Sequence, residues 1–270
     1  MGRRLNLRNP ERFTEKMQWY KLHYKNPLLI QCVDKYDVRE YVKEKGLGDI
    51  LVPCYGVFDD AKAIQWDSLP NQFVMKDTLG GGGNSVIIIN DKKRANIEKL
   101  MERATRWTTV PADKKGSGRE WPYYSGKKRR AIFEKYLDAG ACEHGLLDYK
   151  FFCFSGKVVF IYVMGDRRVG QEVSVGIYNR DFNKLPVLRI GDKDIGTIEK
   201  PKNYERMIKI AETLSKDFPH VRVDLYNLDG VIYFGELTFY NASGYMKFDP
   251  DSFDKEIGKK FPLIEFEEKK

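Results

Sequence analysis

Long apolar runs are missing from this 270-residue sequence: none approaches the roughly 20 residues a membrane-crossing helix needs. The opening MGRRLNLRNP lacks the apolar stretch of a secretory leader and the sixth-position Ser or Thr of a myristoylation signal, so a cytoplasmic protein without a transmembrane segment is expected. Cysteine is scarce. Cys32, Cys54, Cys142 and Cys153 show neither CxxC nor His-Cys spacing and read as buried thiols, not as disulfides or zinc ligands. The three histidines, His23, His144 and His220, are equally dispersed and are assigned to core or surface roles. Helix-turn-helix, RNP and zinc-finger patterns are absent, and basic residues are spread along the chain apart from short clusters such as Lys127-Lys128-Arg129-Arg130. Nucleic acid is therefore not expected as a partner.

What the chain has in quantity is aromatic and basic residues. Apolar types make up 42% and aromatics 13%, enough for a sizeable core. Lys and Arg number 47 against 39 Asp and Glu, a formal charge of +8 that favours anionic partners such as nucleotide phosphates or acidic sugars. Helical periodicity runs from Phe13 through Leu22 and again around Asp34 to Val42, ending at Gly46 and Gly48. Residues 51–58, 72–76 and 86–89 read as strands, Ala95 to Trp107 as a helix, and the Gly, Pro, Lys and Ser of 108–128 as a surface connection. From AIFEKYL at 131–137 onward strands dominate, broken by a helix near 203–217 and another near 251–259. A lobe boundary is expected near Asp138 to Gly145.

The stretch FVMKDTLGGGGNSVIIIN places four glycines between two strand-like runs. A P-loop requires GxxxxGK[ST] opening a helix, whereas here the lysine precedes the glycines and an apolar β run follows. A dinucleotide fingerprint fails for want of a following helix. Two readings remain. One is a flexible hairpin loop; the other is a flap whose backbone N–H groups close on phosphates beside Lys76. The acidic strand end at Glu134, Lys135, Tyr136 and Leu137 could read the edge of an adenine, and Lys150 stands among apolar strand residues where an anion would neutralise it.

In VRVDLYNLDGVIYFGELTFYNASG, residues 221–244, two strands flank a turn. A three-residue loop Leu228-Asp229-Gly230 would pair Asn227 with Val231, set Arg222 opposite Glu236 and leave Asp224 diagonal to Glu236. Two carboxylates so close repel unless a cation joins them. A divalent metal would do this; so would a solvated hairpin face with Arg222 screening both acids.

The order of these features, together with FTEKMQWYKL, VDKYDVREYV, LPNQFVMK, LLDYKFFCFSGKV and FPHVRVDLYNLDGVIYFGELTFY, resembles the TupA-like branch of the ATP-grasp superfamily over nearly the whole chain. The resemblance implies an α+β fold with two α+β lobes and ATP between them. Residues 1–70 would form a short helical N-terminal segment, 71–140 the small lobe with the glycine flap, and 141–270 the large lobe with the metal-binding hairpin. It implies that Lys35 and Lys76 hold ATP phosphates, Gly80, Gly81, Gly82 and Gly83 form the flap, Glu134, Lys135 and Leu137 bind adenine, and Lys150 meets further phosphate oxygens. Asp224, Glu236 and Thr238 would hold Mg²⁺, with Thr238 standing where many relatives have Asn. Arg222 and Lys150 would serve the chemistry, and Ser243 and Gly244 a substrate carboxylate.

The implied activity is an ATP-dependent carboxylate-amine ligase acting through an acylphosphate. Its substrates would be an acidic sugar and an amino acid or small amine in bacterial surface polysaccharide biosynthesis, with a glycosyltransferase of the same pathway as a possible partner. A kinase without ligation and a catalytically degenerate nucleotide-binding module remain the alternatives.

Overall fold

A computed structural model describes residues 4–81, 85–110, 120–140, 142–166 and 173–264. Helix α1 (Phe13–His23) belongs with the chain from Ala139 onward in one compact unit, and Lys25–Asp138 form the other.

In the Lys25–Asp138 unit, short helices α2 (Leu28–Cys32) and α3 (Val38–Glu44) replace the single helix expected around 34–42. The interruption is chemical: the Asp34 carboxylate accepts from the N–H groups of Tyr36 and Asp37 at 2.9 and 3.0 Å, an Asx turn that competes with continuous helix. Lys35 therefore sits in the turn. Strands β1 (Cys54–Phe58), β2 (Phe73–Asp77), β3 (Val86–Ile89) and β4 (Ala131–Lys135) form an antiparallel sheet in the order β1-β4-β2-β3. Alternation turns Phe73 and Met75 with Ala131 and Phe133 to one face, where Leu100, Ala104 and Trp107 of α4 (Ile97–Thr109) cover them. Asn96 caps that helix by accepting from Lys99 N–H, so it starts two residues later than its apolar pattern suggests. The basic cluster is turned inward: Lys127, Arg129 and Arg130 are ion-paired to Asp37, Asp77 and Asp34.

The other unit is built on six strands in the order β11-β10-β5-β6-β7-β9. These are β5 (Asp148–Phe154), β6 (Lys157–Gly165), β7 (Ser174–Asn179), β9 (Lys193–Asp194), β10 (His220–Leu228) and β11 (Val231–Thr238), antiparallel except for β7 with β9. The two-residue strands β8 (Leu188–Arg189) and β12 (Phe248–Asp249) pair separately. Strand alternation sorts the two faces. Phe151, Cys153, Val221, Val223 and Leu225 share the side against which α5 (Tyr204–Ser215) packs, with Phe151 near Tyr204 and Cys153 bonded to the Ala211 carbonyl. The opposite side carries Phe152, Phe154 and His220, and there Phe13 of α1 is ringed by Phe152, Phe154, Phe160, His220 and Phe261 at centroid distances of 5.4 to 6.1 Å. Helix α6 (Ser252–Lys260) lies against α1, and Asp254 accepts from Thr14 N–H and its hydroxyl at 2.9 and 2.7 Å.

The β10–β11 hairpin differs from expectation at two points. Its loop is two residues, Asp229 and Gly230, both at positive φ (50° and 95°), so Leu228 pairs with Val231. A bulge then falls at Gly235, between the pairs Leu225–Phe234 and Asp224–Glu236. The combined shift sets Asp224 directly opposite Glu236, and Arg222 opposite Thr238 instead of Glu236. The bulge also changes which side chains face inward. Ile232 and Phe234 are buried before it, Leu237 and Phe239 after it, so Glu236 escapes the apolar face that strict alternation would have made it share with Phe234. Cys32 and Cys153 are buried as expected, but Cys54 is half-buried and Cys142 exposed.

His220 yields a pH prediction. Burial among the phenylalanines holds its imidazole down at about 3 from an ordinary 6.5, with Nδ1–H donating to the Cys153 carbonyl and Nε2 without a hydrogen-bond partner. The unfolded chain takes up a proton below 6.5 and the folded chain does not until about 3, so stability present above pH 6.5 falls as pH drops through that window. Melting curves of His220→Phe between pH 6.5 and 4 should show a shallower decline than wild type; parallel declines would refute the assignment.

Candidate active site

The β10–β11 hairpin places its polar residues in rows that cross the sheet. Glu236, Asp224 and Lys150 stand side by side on β11, β10 and β5, because Asp224 is in register with both of the others. The adjacent row runs from Thr238 through Arg222 to Phe152, where the apolar cluster begins. His220, Arg222 and Asp224 are alternate residues of one strand, and along them the surface passes from aromatic core to charge.

Arg222 is the hub. Its Nε and one terminal nitrogen donate to the two Asp224 oxygens at 2.6 Å each, and the latter nitrogen also reaches Glu236 Oε1 at 3.0 Å and Thr238 Oγ1 at 2.9 Å. The other terminal nitrogen donates to Asn241 Oδ1. Lys150 joins from β5, its ammonium on Asp148 at 2.6 Å and on Asp224. This is no solvated hairpin face: Asp224 and Arg222 are only 2% and 8% exposed, and Lys150 and Asp148 are also buried. Three carboxylates, Asp148, Asp224 and Glu236, against two cations, Arg222 and Lys150, leave the group with one negative charge in excess. Burial pushes the Asp224 carboxyl up and Asp148 adds to the rise, against the pull of Arg222 and Lys150. Burial likewise works against the Arg222 charge, but Asp224, Glu236 and Asp148 outweigh it and hold that guanidinium above its ordinary value. Among the described residues no group of three or more His, Cys, Asp or Glu is arranged to hold a metal by itself. The donors here are two acids on one row with a hydroxyl and an amide beside them.

Beyond the hairpin, Asn241–Gly244 form a tight turn in which Ala242, Ser243 and Gly244 all have positive φ (44°, 53° and 74°). Gly244 suits the turn because its φ of 74° is strained for any other residue, and a Cβ there would also push on the Gln18 amide, 2.6 Å away. The Ser243 carbonyl accepts from Gln18 at 2.7 Å and Lys21 at 3.1 Å, and its hydroxyl meets Lys21 Nζ at 2.7 Å.

In the Lys25–Asp138 unit the remaining expected site residues are brought together differently. Lys76 and Glu134 lie diagonally on one face of β2 and β4 and are ion-paired at 2.6 Å, with Arg39 at 3.5 Å from the same carboxylate. Lys35 Nζ donates to the Gly80 carbonyl at 2.5 Å. Gly80 is sterically obligatory, because a Cβ would fall 2.3 Å from that of Ser85, whereas one at Gly81 would meet nothing within 4 Å. Gly82 and Gly83 lie outside the described residues. Lys135 is exposed with its N–H on the Pro53 carbonyl, and Leu137 is buried. A cleft of about 540 Å³ in this unit is lined by Tyr36, Asp37, Arg39, Glu40 and Lys127 among others, and by neither Lys35 nor Lys76.

One sheet thus carries the lysine strand that leads into Gly80 and Gly81, and the other the hairpin on which Arg222 holds buried Asp224. A TupA-like ATP-grasp family model matches residues 15–262, and the chain belongs to that family. Solved structures similar in fold include a D-alanine–D-alanine ligase from Bacillus anthracis (18% identity, 77% of this chain, 57% of that one, TM-score 0.49). An N5-carboxyaminoimidazole ribonucleotide synthetase (14%, 83% and 50%, TM-score 0.45) and a D-cycloserine synthetase (16%, 87% and 72%, TM-score 0.46) are also among them. The chain thus spans little more than half the length of the first of these ligases. No curated protein matches the sequence.

Sequence reasoning overlooked Gln18, Lys21 and Arg39. Gln18 and Lys21 stand more than 220 positions from Ser243, and Arg39 stands 95 from Glu134. Nothing in local spacing links such pairs. Asp148 was overlooked as well, although its spacing two residues before Lys150 on one strand puts the two on one face and was a local signal that could have found it.

The hub predicts an asymmetry in stability. Asp224→Asn strands the buried charges of Arg222 and Lys150 and should cost roughly 3 kcal/mol or more. Glu236→Gln, at a carboxylate 36% exposed, should cost no more than about 1 kcal/mol. Urea denaturation checks both, and equal losses would refute the hub.

Proposed function

We propose that this chain is an ATP-dependent carboxylate-amine ligase. The observation that carries the reading is the Glu236–Asp224–Lys150 row, with Asp224 and Lys150 buried and Arg222 bonded to both of its acids, in a chain whose family is ATP-grasp. Lys35, Lys76 and Lys150 supply positive charge for the triphosphate, the glycines from Gly80 to Gly83 supply backbone N–H groups over it, and Glu134, Lys135 and Leu137 receive the adenine.

Asp224, Glu236 and Thr238 offer oxygen donors only, which suits magnesium, a cation that needs one or two carboxylates when phosphates and water complete its shell. When bound, magnesium would offset the negative charge of the transferring phosphoryl group. The reaction brings anion to anion. A substrate carboxylate oxygen attacks the γ-phosphorus of ATP, ADP leaves, and an acylphosphate forms. An amine then adds to the acyl carbon, phosphate departs, the amine loses a proton, and an amide remains. Arg222, fixed by Asp224 and Asn241, donates to the oxyanion of the tetrahedral intermediate, and Lys150 offsets charge on the phosphate.

The positive charge of the chain and its family favour an acidic sugar as the carboxylate, in cytoplasmic steps of surface polysaccharide assembly beside a glycosyltransferase.

Calorimetric titration of ATP with and without Mg²⁺, into wild type and Glu236→Gln, tests the reading with a variant expected to fold. Metal-dependent binding that weakens about tenfold in the variant is the expected result. Affinity indifferent to metal would overturn the magnesium assignment, and no ATP binding would overturn the ligase. ATP binding without phosphate release in the presence of uronic acids and amines would leave a nucleotide-binding module.

A further inference from the structure

The turn that follows β8 holds an arginine against the sheet. Gly191, at a φ of 100°, reverses the chain so that the Asp192 N–H donates to the Arg189 carbonyl at 3.2 Å. The Arg189 Nε and one terminal nitrogen donate in turn to the two Asp192 oxygens, the latter at 2.6 Å. Alternation leaves Leu188 and Ile190 44% and 60% exposed and sends Arg189 to the other side, where its guanidinium lies 5.7 Å from the centre of the Tyr162 ring. The backbone is fixed by β12, through the pair Arg189–Phe248 and the Ile190 N–H on the Lys247 carbonyl at 2.9 Å.

Tyr162 makes this position part of the charged row. It is fully buried on β6 and in register with Lys150, so the row Glu236, Asp224, Lys150 continues into Tyr162, and Arg189 covers its end. The Tyr162 hydroxyl meets Met246 Sδ, which also accepts from Asn241, the partner of Arg222. Burial and nearby Arg222 work against the Arg189 charge, yet Asp192 holds it above its ordinary value. The two arginines differ in what they have left to give. Each nitrogen of Arg222 is engaged within the hub. Arg189 spends one edge of its fork on Asp192, and among the described residues its remaining terminal nitrogen has no hydrogen-bond partner, on a side chain 21% exposed.

A γ-phosphoryl group has three peripheral oxygens over which charge is spread. The ligase reading assigns two of them to magnesium and to Lys150, and the next cation along the row, one strand spacing of about 4.8 Å further on, is the guanidinium over Tyr162. Resting on that reading, we propose that Arg189 is a further catalytic residue, donating through its open terminal nitrogen to the γ-phosphoryl group of ATP. That group stays anionic as it passes from ATP to the acylphosphate and leaves as phosphate, so a fixed guanidinium serves it throughout. The acceptor carboxylate, by contrast, loses its charge in the first step.

Calorimetric titration of the full chain with ADP and with the β,γ-imido analogue of ATP, both in Mg²⁺, tests this. Arg189→Met should bind the triphosphate analogue about ten- to hundredfold more weakly than wild type while its ADP affinity is unchanged, and Arg189→Lys should recover part of the loss. An arginine that only staples its turn would lower both affinities together or neither, and either result would overturn the proposal. Should Arg189→Met fail to fold, Arg189→Gln, which keeps bulk over Tyr162 without charge, carries the same comparison. Failure of both to fold would assign Arg189 to structure and overturn the proposal as well. A wild type that binds neither nucleotide would instead remove the ligase reading beneath it.

Discussion

The Arg222 guanidinium is the constraint on which the hairpin depends. A buried cation is tolerated only when its donors are met, and this one spreads them over Asp224, Glu236, Thr238 and Asn241. To meet that demand, β10 and β11 must be registered so that Asp224 faces Glu236 and Thr238 faces Arg222. The two-residue turn and the Gly235 bulge together deliver this register. The bulge returns the apolar residues of β11 to the core while its acidic residue stays with the charges.

Lys150 extends the same logic across the sheet. Its ammonium lies between Asp148 and Asp224, so the carboxylate that leans on Arg222 leans also on β5. Charge on this face therefore belongs to three strands at once, while the other face of the same strands is apolar and packed on α5. A hairpin alone could not keep Asp224 and Arg222 out of water. The six-stranded sheet does so by supplying neighbours, and the aromatic cluster around Phe13 closes the end of the row beyond Phe152.

Within the Lys25–Asp138 unit the charged groups follow the same rule of mutual satisfaction. Lys76 with Glu134, Arg130 with Asp34 and Asp37, and Arg129 with Asp77 pair residues of β2, β4 and the α2–α3 turn. Burial alone would raise the Asp37 carboxyl, yet Lys127 and Arg130 hold it below its usual range. In the short basic cluster Lys127 to Arg130 only Lys128 is exposed, and the other three are paired to acids that arrive from 50 to 100 positions away.

The sequence by itself determined the strands, the main helices and the family. Alternation of Val221, Val223 and Leu225 with Arg222 and Asp224 fixes two faces, and the period of Leu100, Ala104 and Trp107 fixes a helix, because these patterns are local. It also assembled the candidate residues of the hairpin, since Arg222, Asp224, Glu236 and Thr238 lie within one turn of chain. Tertiary structure decided the rest. The register came from two glycines, Gly230 at positive φ and Gly235 in the bulge, which shift the pairing without leaving an unambiguous mark in the apolar pattern. The helix expected to run through Lys35 was broken by the Asp34 carboxylate, a side-chain bond that outcompetes helical propensity. Lys21 reached Ser243 only because α1 is packed against residues more than 220 positions away, and no local spacing encodes such a contact.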